Sequence, residues 1–265
     1  MEKVVSQDGT EIAYKRSGSG KPLLLVHGGT ADHRRWAAIA PRFEAHFTVF
    51  TLDRRGRGGS GDSPDYDLQR EAEDVAAVVE AISMQTEQAV AVLGHSFGGL
   101  CSLEAALLTD QMARLILYEP PVPVGLPMYA PDMPGRIQAL IERGEMERAL
   151  ETFIREEVKM PEHEFEIYRA HPMWKERIKI VPSVLREIVI DKTYQFDAAR
   201  FAGMDVPTLL LLGSDSPPIF QRAIATLDAA LPRSHVVILQ GQQHIAMDTD
   251  PELFYREVMA FLQVA

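Results

Sequence analysis

Gln88-Ala89-Val90-Ala91-Val92-Leu93-Gly94-His95-Ser96-Phe97-Gly98-Gly99 is a short apolar run that feeds directly into a glycine-rich turn. Gln88–Leu93 has the length and β-branched content of a buried strand, and Leu100–Leu108 has a helical pattern. Gly94-x-Ser96-x-Gly98 therefore stands at a strand–turn–helix junction, the setting in which a serine hydroxyl is held at a sharp turn and points away from a sheet. Small residues on both sides, with Gly99 beyond them, let strand and helix approach. A glycine-rich helix start of this kind also suits phosphate. No Lys-Ser/Thr follows Gly99, which excludes a Walker loop.

Outward from this turn the chain alternates strand and helix signals. Upstream, Glu2–Ser6 and Glu11–Arg16 flank Asp8-Gly9 and read as a hairpin. Pro22–Val26 is a strand ending in His27-Gly28-Gly29, His33–Phe43 is helical, and Phe47–Leu52 is a strand ending at Asp53. Val75, Val78, Val79 and Ile82 make one face of a helix over Leu68–Ile82. Downstream, Ala113–Tyr118 is a strand. Six prolines then fall between Pro120 and Pro134. Helical patterns follow at Arg136–Arg143, Met146–Lys159, Glu162–Ala170 and Pro182–Ile190, with no strand among them. Alternation resumes with strand Val206–Leu212, helix Pro218–Ala230, strand Ser234–Leu239 and helix Pro251–Leu262. Alternating strands and helices imply a mainly parallel sheet covered on both faces. A helical block between two strands reads as a cap over the strand ends, where ligands bind in open α/β sheets.

A serine hydroxyl needs a base to act as a nucleophile. Of the eight histidines, His95 is beside Ser96 in sequence, so its side chain leaves the turn in another direction. His27 shapes the turn after its strand. His33, His46, His163, His171 and His235 lack motif context. His244 lies in Gly241-Gln242-Gln243-His244, after strand Ser234–Leu239 and before the last helix, where it can reach Ser96 across the strand ends. The oxyanion of an acyl-transfer intermediate needs backbone N–H donors. Those of Phe97, just after the serine, and Gly29, in the His27-Gly28-Gly29 loop, are the candidates.

These residues resemble the α/β-hydrolase superfamily, over nearly the whole chain. The resemblance rests on the His27-Gly28 loop, the elbow around Ser96, the ending Gly241…His244…Pro251…Phe261-Leu262, and Asp53-Arg54-Arg55-Gly56-Arg57-Gly58-Gly59-Ser60, which looks like the family's D-x-R-G-x-G-x-S loop. It implies an α/β-hydrolase fold: a mostly parallel eight-stranded sheet with helices on both faces and a helical cap after strand six. Residues 1–120 and 204–265 would form the core and 121–203 the cap. Arg54, Arg55 and Arg57 are expected to tie loops together by hydrogen bonds. The resemblance also implies a third, acidic member that orients the imidazole. The family usually places it after strand seven, but the matching segment is Gly213-Ser214-Asp215-Ser216-Pro217, with Ser216 at the acid's position and Asp215 one place early. A second position used in the superfamily, just after strand six, holds Glu119. Both carboxylates are candidates, Glu119 ahead of Asp215. Asp215 also suits a cap for the following helix, and Asp248 and Asp250 suit a cap for Pro251–Leu262.

The expected chemistry is hydrolysis of an ester or lactone through an acyl-enzyme on Ser96. The alternatives are a cofactor-free perhydrolase or haloperoxidase-like enzyme and a slow-turnover signal receptor on the same fold. Gly28, Met128, Tyr129 and Trp174 are candidate pocket residues, facing a small apolar or aromatic substrate. Hydrophobic residues make up 46% and charged residues 25% of the 265, and 27 basic against 38 acidic side chains leave a net charge of −11. Such a composition is globular, and the acidic balance argues against nucleic-acid or anionic-membrane partners. The lone Cys101 supports neither a disulfide nor a cysteine zinc site and reads as core packing. No metal or nucleotide motif is found, so no cofactor is expected. No signal peptide is read in Met1–Asp8, and the longest apolar stretch, Pro207–Leu212, is short of the ~20 residues of a membrane helix. The expectation is a cytoplasmic monomer or homodimer.

Overall fold

The computed structural model describes residues 1–263. Strands β1 (Glu2–Val5) and β2 (Glu11–Gly18) form the expected hairpin, followed by β3 (Lys21–Val26), β4 (Phe47–Leu52), β5 (Val90–His95), β6 (Met112–Tyr118), β7 (Thr208–Gly213) and β8 (Ser234–Leu239). They make one eight-stranded sheet in the order β1-β2-β4-β3-β5-β6-β7-β8. β1 and β2 run antiparallel to their neighbours, and β4, β3 and β5 to β8 pair in parallel. The mostly parallel sheet is thus present as expected.

Successive side chains of a strand point to opposite faces, and the strands here are apolar on both. Leu24 and Val26 enter the core formed with α2 (Leu68–Thr86), α3 (Phe97–Ala105) and α9 (Pro218–Ala230). Leu23 and Leu25 enter the opposite core, with α1 (Ala40–Phe43) and α11 (Pro251–Gln263). Cys101 is fully buried on α3, and burial pushes its thiol pKa well up.

Between β6 and β7 lie α4 (Met133–Glu142), α5 (Met146–Glu156), α6 (Glu162–Ala170), α7 (Trp174–Ile180) and α8 (Val184–Thr193). The helix expected from Pro182 begins instead as a 3₁₀ turn over Val181–Ser183, after the unanticipated α7. Likewise His33–Phe43 is a 3₁₀ turn, His33–Trp36, and the separate α1. Pro41 and Pro182 stand in the first turns of the new segments, where a missing N–H costs nothing but ends the previous ladder. A short α10 (Ala246–Thr249) precedes α11. Asp250 caps α11 as expected, accepting from Leu253 N–H at 3.0 Å. Asp248 does not, because its carboxylate pairs with Arg35 at 2.8 Å. Among the described residues no helix is long and apolar enough to cross a membrane.

Candidate active site

Ser96 sits between β5 and α3 with φ 53° and ψ −128°, a conformation that costs a non-glycine residue strain and turns its side chain out of the sheet. Two glycines make the turn possible. A Cβ on Gly98 would lie 2.2 Å from the His27 carbonyl oxygen, and one on Gly28 would lie 2.9 Å from Cβ of Ser96. The His27-Gly28-Gly29 loop therefore touches the elbow because neither partner carries bulk there. Phe97 is the first residue of α3, so its N–H has no acceptor within its own helix.

His244 lies beyond β8, in the segment leading to α10, and its Nδ1 is 2.6 Å from Oε2 of Glu119. Glu119 follows β6, is fully buried and has φ 46°. A buried carboxylate is costly unless its oxygens are bonded. Here Oε2 faces His244, and Oε1 accepts from Ser216 Oγ at 2.5 Å and Gly213 N–H at 2.8 Å. Phe220 stacks on the His244 ring, with centroids 4.8 Å apart. The His244 carbonyl accepts from His95 Nε2 at 2.8 Å. Burial holds the His95 pKa well below the usual imidazole value, so the ring is neutral and its one proton is committed to that carbonyl. Asp215 is exposed and bonds to neither His244 nor the start of α9. Its Oδ1 accepts from Ser214 Oγ at 2.7 Å, and α9 has no side-chain cap. The turn after β7 points Ser216 inward and Asp215 out.

The arginines tie loops together, as expected. Arg54 binds Glu71 at 2.7 Å and donates to the Gly28 carbonyl at 3.2 Å, while its backbone N–H donates to His27 Nε2 at 3.2 Å. That leaves the His27 proton on Nδ1, against the Gly28 carbonyl at 2.8 Å. Burial, with Arg54 and Arg57 nearby, pushes His27 down to about 3, so it shapes the turn as a neutral ring. Arg55 binds Asp74 and Asp8. Arg57 reaches α8, where Glu187 accepts at 2.5 Å and Arg54 lies 3.0 Å from the same oxygen. Burial alone would raise Glu71, but Arg54 and Arg57 outweigh it and hold the carboxyl at about 2.

Ser96, His244, Phe97, Gly28, Gly29 and Met128 all line one cavity with about 50 Å³ of free volume. Tyr129 and Trp174 stand outside its lining. The Tyr129 hydroxyl donates to the Ile188 carbonyl at 3.3 Å. Trp174 is buried against Phe165 and Tyr168, with Nε1 on Glu147 at 2.7 Å. Both serve the packing of the inserted helices. The cavity instead takes Phe153, Tyr168 and Glu187 from the insert and Thr30 and Arg35 from the core. Phe153 and Tyr168 are aromatic residues of inserted helices, but no motif marks Thr30, Arg35 or Glu187.

Asp32, His33 and Asp53 bring possible metal-ligand atoms within 4.8 Å of one another. Their carboxylates already hold partners: Asp32 accepts from Arg34, and Asp53 from His33 and the Gly59 N–H.

Residues 23–257 match the model of the Alpha/beta hydrolase family. An alpha/beta hydrolase from Sphaerobacter thermophilus superposes with a TM-score of 0.85 and 34% identity, covering 99% of this chain and all of that one. An N-formylmaleamate deformylase from Pseudomonas putida is 35% identical over 122 residues, which span 44% of each chain. A pimeloyl-[acyl-carrier protein] methyl ester esterase from Aeromonas salmonicida is 24% identical over 95% of this chain and 99% of its own.

Proposed function

Because the chain belongs to the alpha/beta hydrolase family, we propose that this hydrolase cleaves small carboxylic esters through an acyl-enzyme on Ser96. The observation that carries the reading is the buried 2.6 Å contact between His244 Nδ1 and Glu119. A carboxylate there fixes the proton on Nδ1 and leaves Nε2 as the base. Ser96 Oγ attacks the ester carbonyl as His244 Nε2 takes its proton. The N–H groups of Phe97 and Gly29 receive the negative charge that develops on the carbonyl oxygen. Collapse of the intermediate expels the alcohol, which leaves with the proton from His244. Water, deprotonated by the same ring, then attacks the acyl group, and Ser96 leaves with a proton. Glu119, bonded to Nδ1, stabilises the imidazolium.

The inserted segment acts as a cap in this reading, since its helices supply Phe153, Tyr168 and Glu187 to the cavity and the loop before α4 supplies Met128. A free volume of about 50 Å³ favours short acyl groups. The esterase name of a relative aligned over nearly the full length of both chains points the same way. Release of acid from short esters by the wild-type protein, and its loss in Ser96→Ala, tests the reading. Turnover that survives in Ser96→Ala overturns it.

A further inference from the structure

Arg177, on α7, is only 1% exposed. A guanidinium keeps its charge in any folded protein, and a buried charge without a partner is among the most costly features a fold can carry. Yet Nε and Nη2 of Arg177 have no hydrogen-bond partner. The carboxylates whose charge acts on it are Asp248 and Asp32. Both are taken, Asp248 by Arg35 at 2.8 Å and Asp32 by Arg34 at 2.5 Å. Arg35, itself buried and lining the cavity, adds a second positive charge.

Where Arg177 does bond, it bonds to the cavity wall. Nη1 donates to the Tyr168 hydroxyl and, at 3.4 Å, to the Thr30 carbonyl. Its Cζ lies 3.9 Å from the centre of the Tyr168 ring. Thr30 and Tyr168 both line the cavity that holds Ser96, and Thr30 follows Gly29 directly. Arg177 does not itself line the cavity, but its positive charge, left without a counter-ion, stands behind the two wall residues that do.

Resting on the ester-hydrolase reading above, we propose that Arg177, with the Thr30–Tyr168 wall, binds a carboxylate carried by the substrate, so that this enzyme prefers small anionic esters. A ligand carboxylate seated against Thr30 and Tyr168 supplies the negative charge that the guanidinium behind them lacks. Glu157 and Glu187, which also line the cavity, repel the same group, and the opposed charges orient the ester.

Two pairs of esters test this, each differing only by a carboxylate replaced with an isopropyl group. Monomethyl succinate is set against methyl 4-methylpentanoate, and acetoxyacetate against isobutyl acetate. In at least one pair kcat/KM should favour the anion by about 10- to 100-fold, the worth of one charge-assisted hydrogen bond. Arg177→Met should collapse that ratio, and Arg177→Lys should lower it in part. Binding of succinate to Ser96→Ala by calorimetry needs no turnover and no change at Arg177. One-to-one binding supports the subsite even if no ester is cleaved, an outcome that would sink the ester reading alone. Ester turnover with no preference for the anion in either pair, together with no succinate binding, overturns the subsite and leaves the ester reading standing.

Discussion

Ser216 Oγ donates a 2.5 Å hydrogen bond to Oε1 of Glu119, across 97 residues of sequence. Ser216 occupies the position after β7 where the superfamily usually places its acid, and Glu119 occupies the other position, after β6. The two sites are neighbours in space because β6 and β7 pair in parallel. An acid on either strand end can therefore reach the same histidine, and under the proposed triad the serine at the one position supports the carboxylate at the other.

Exchanging the acids separates them in function. Glu119→Gln loses the charge that stabilises the His244 imidazolium, and kcat should fall by about 10³–10⁴. Asp215→Asn changes an exposed side chain and should leave kcat within about twofold, as surface changes do. Steady-state kinetics on one short ester suffice. Similar losses in both variants contradict the assignment.

Ser216→Ala removes one donor from a buried carboxylate while Gly213 N–H and His244 remain. The expected cost is about 1–3 kcal/mol of stability, read from urea unfolding, with a smaller fall in kcat than in Glu119→Gln. An unchanged midpoint would show that the bond carries nothing.

Glu187 fastens α8 to the core through Arg57 and Arg54. Glu187→Ala leaves the buried Arg57 guanidinium without its closest carboxylate and should cost about 3–5 kcal/mol. Because α8 sits over the cavity, ester turnover should fall before global unfolding does. Parallel urea curves followed by activity and by far-UV circular dichroism check this, and coincident curves at the wild-type midpoint argue against it.

Glu164, on α6, is buried with Oε2 unpartnered, and burial pushes its carboxyl up from 4.5 to about 7. The folded state therefore holds a proton that the unfolded chain releases between those values. Its stabilising contribution is complete below 4.5 and is lost as pH rises through about 7. Glu164→Gln stays neutral throughout. Its Tm should match wild type near about pH 4 and exceed it near about pH 8. A difference that does not grow with pH contradicts the account.

The sheet, its order of elements and the strand–turn–helix at Ser96 were legible because each rests on local pattern: apolar runs of strand length, glycines at a turn, prolines at a break. Glu119 and His244 were legible because both sit where a strand ends, which chain order reveals. The cavity wall was harder. Tyr129 and Trp174 are apolar enough for a pocket, but periodicity says only that a helix has a buried face, not which neighbour that face meets. Thr30, Arg35 and Glu187 reach the cavity through tertiary pairs with partners far along the chain, and nothing in their local sequence announces them. The split of His33–Phe43 was foreshadowed only by Pro41, and α7 only by the prolines on either side of it, Pro172 and Pro182.

The proposed reaction requires Ser96 to be the residue that takes up the acyl group, with His244 and Glu119 behind it. Intact-mass measurement after treatment with a small alkyl fluorophosphonate reads out that nucleophile. One adduct per chain should form, mapped to the peptide containing Ser96, slowly in Glu119→Gln and not at all in Ser96→Ala. An adduct elsewhere, or none while ester turnover continues, would contradict it.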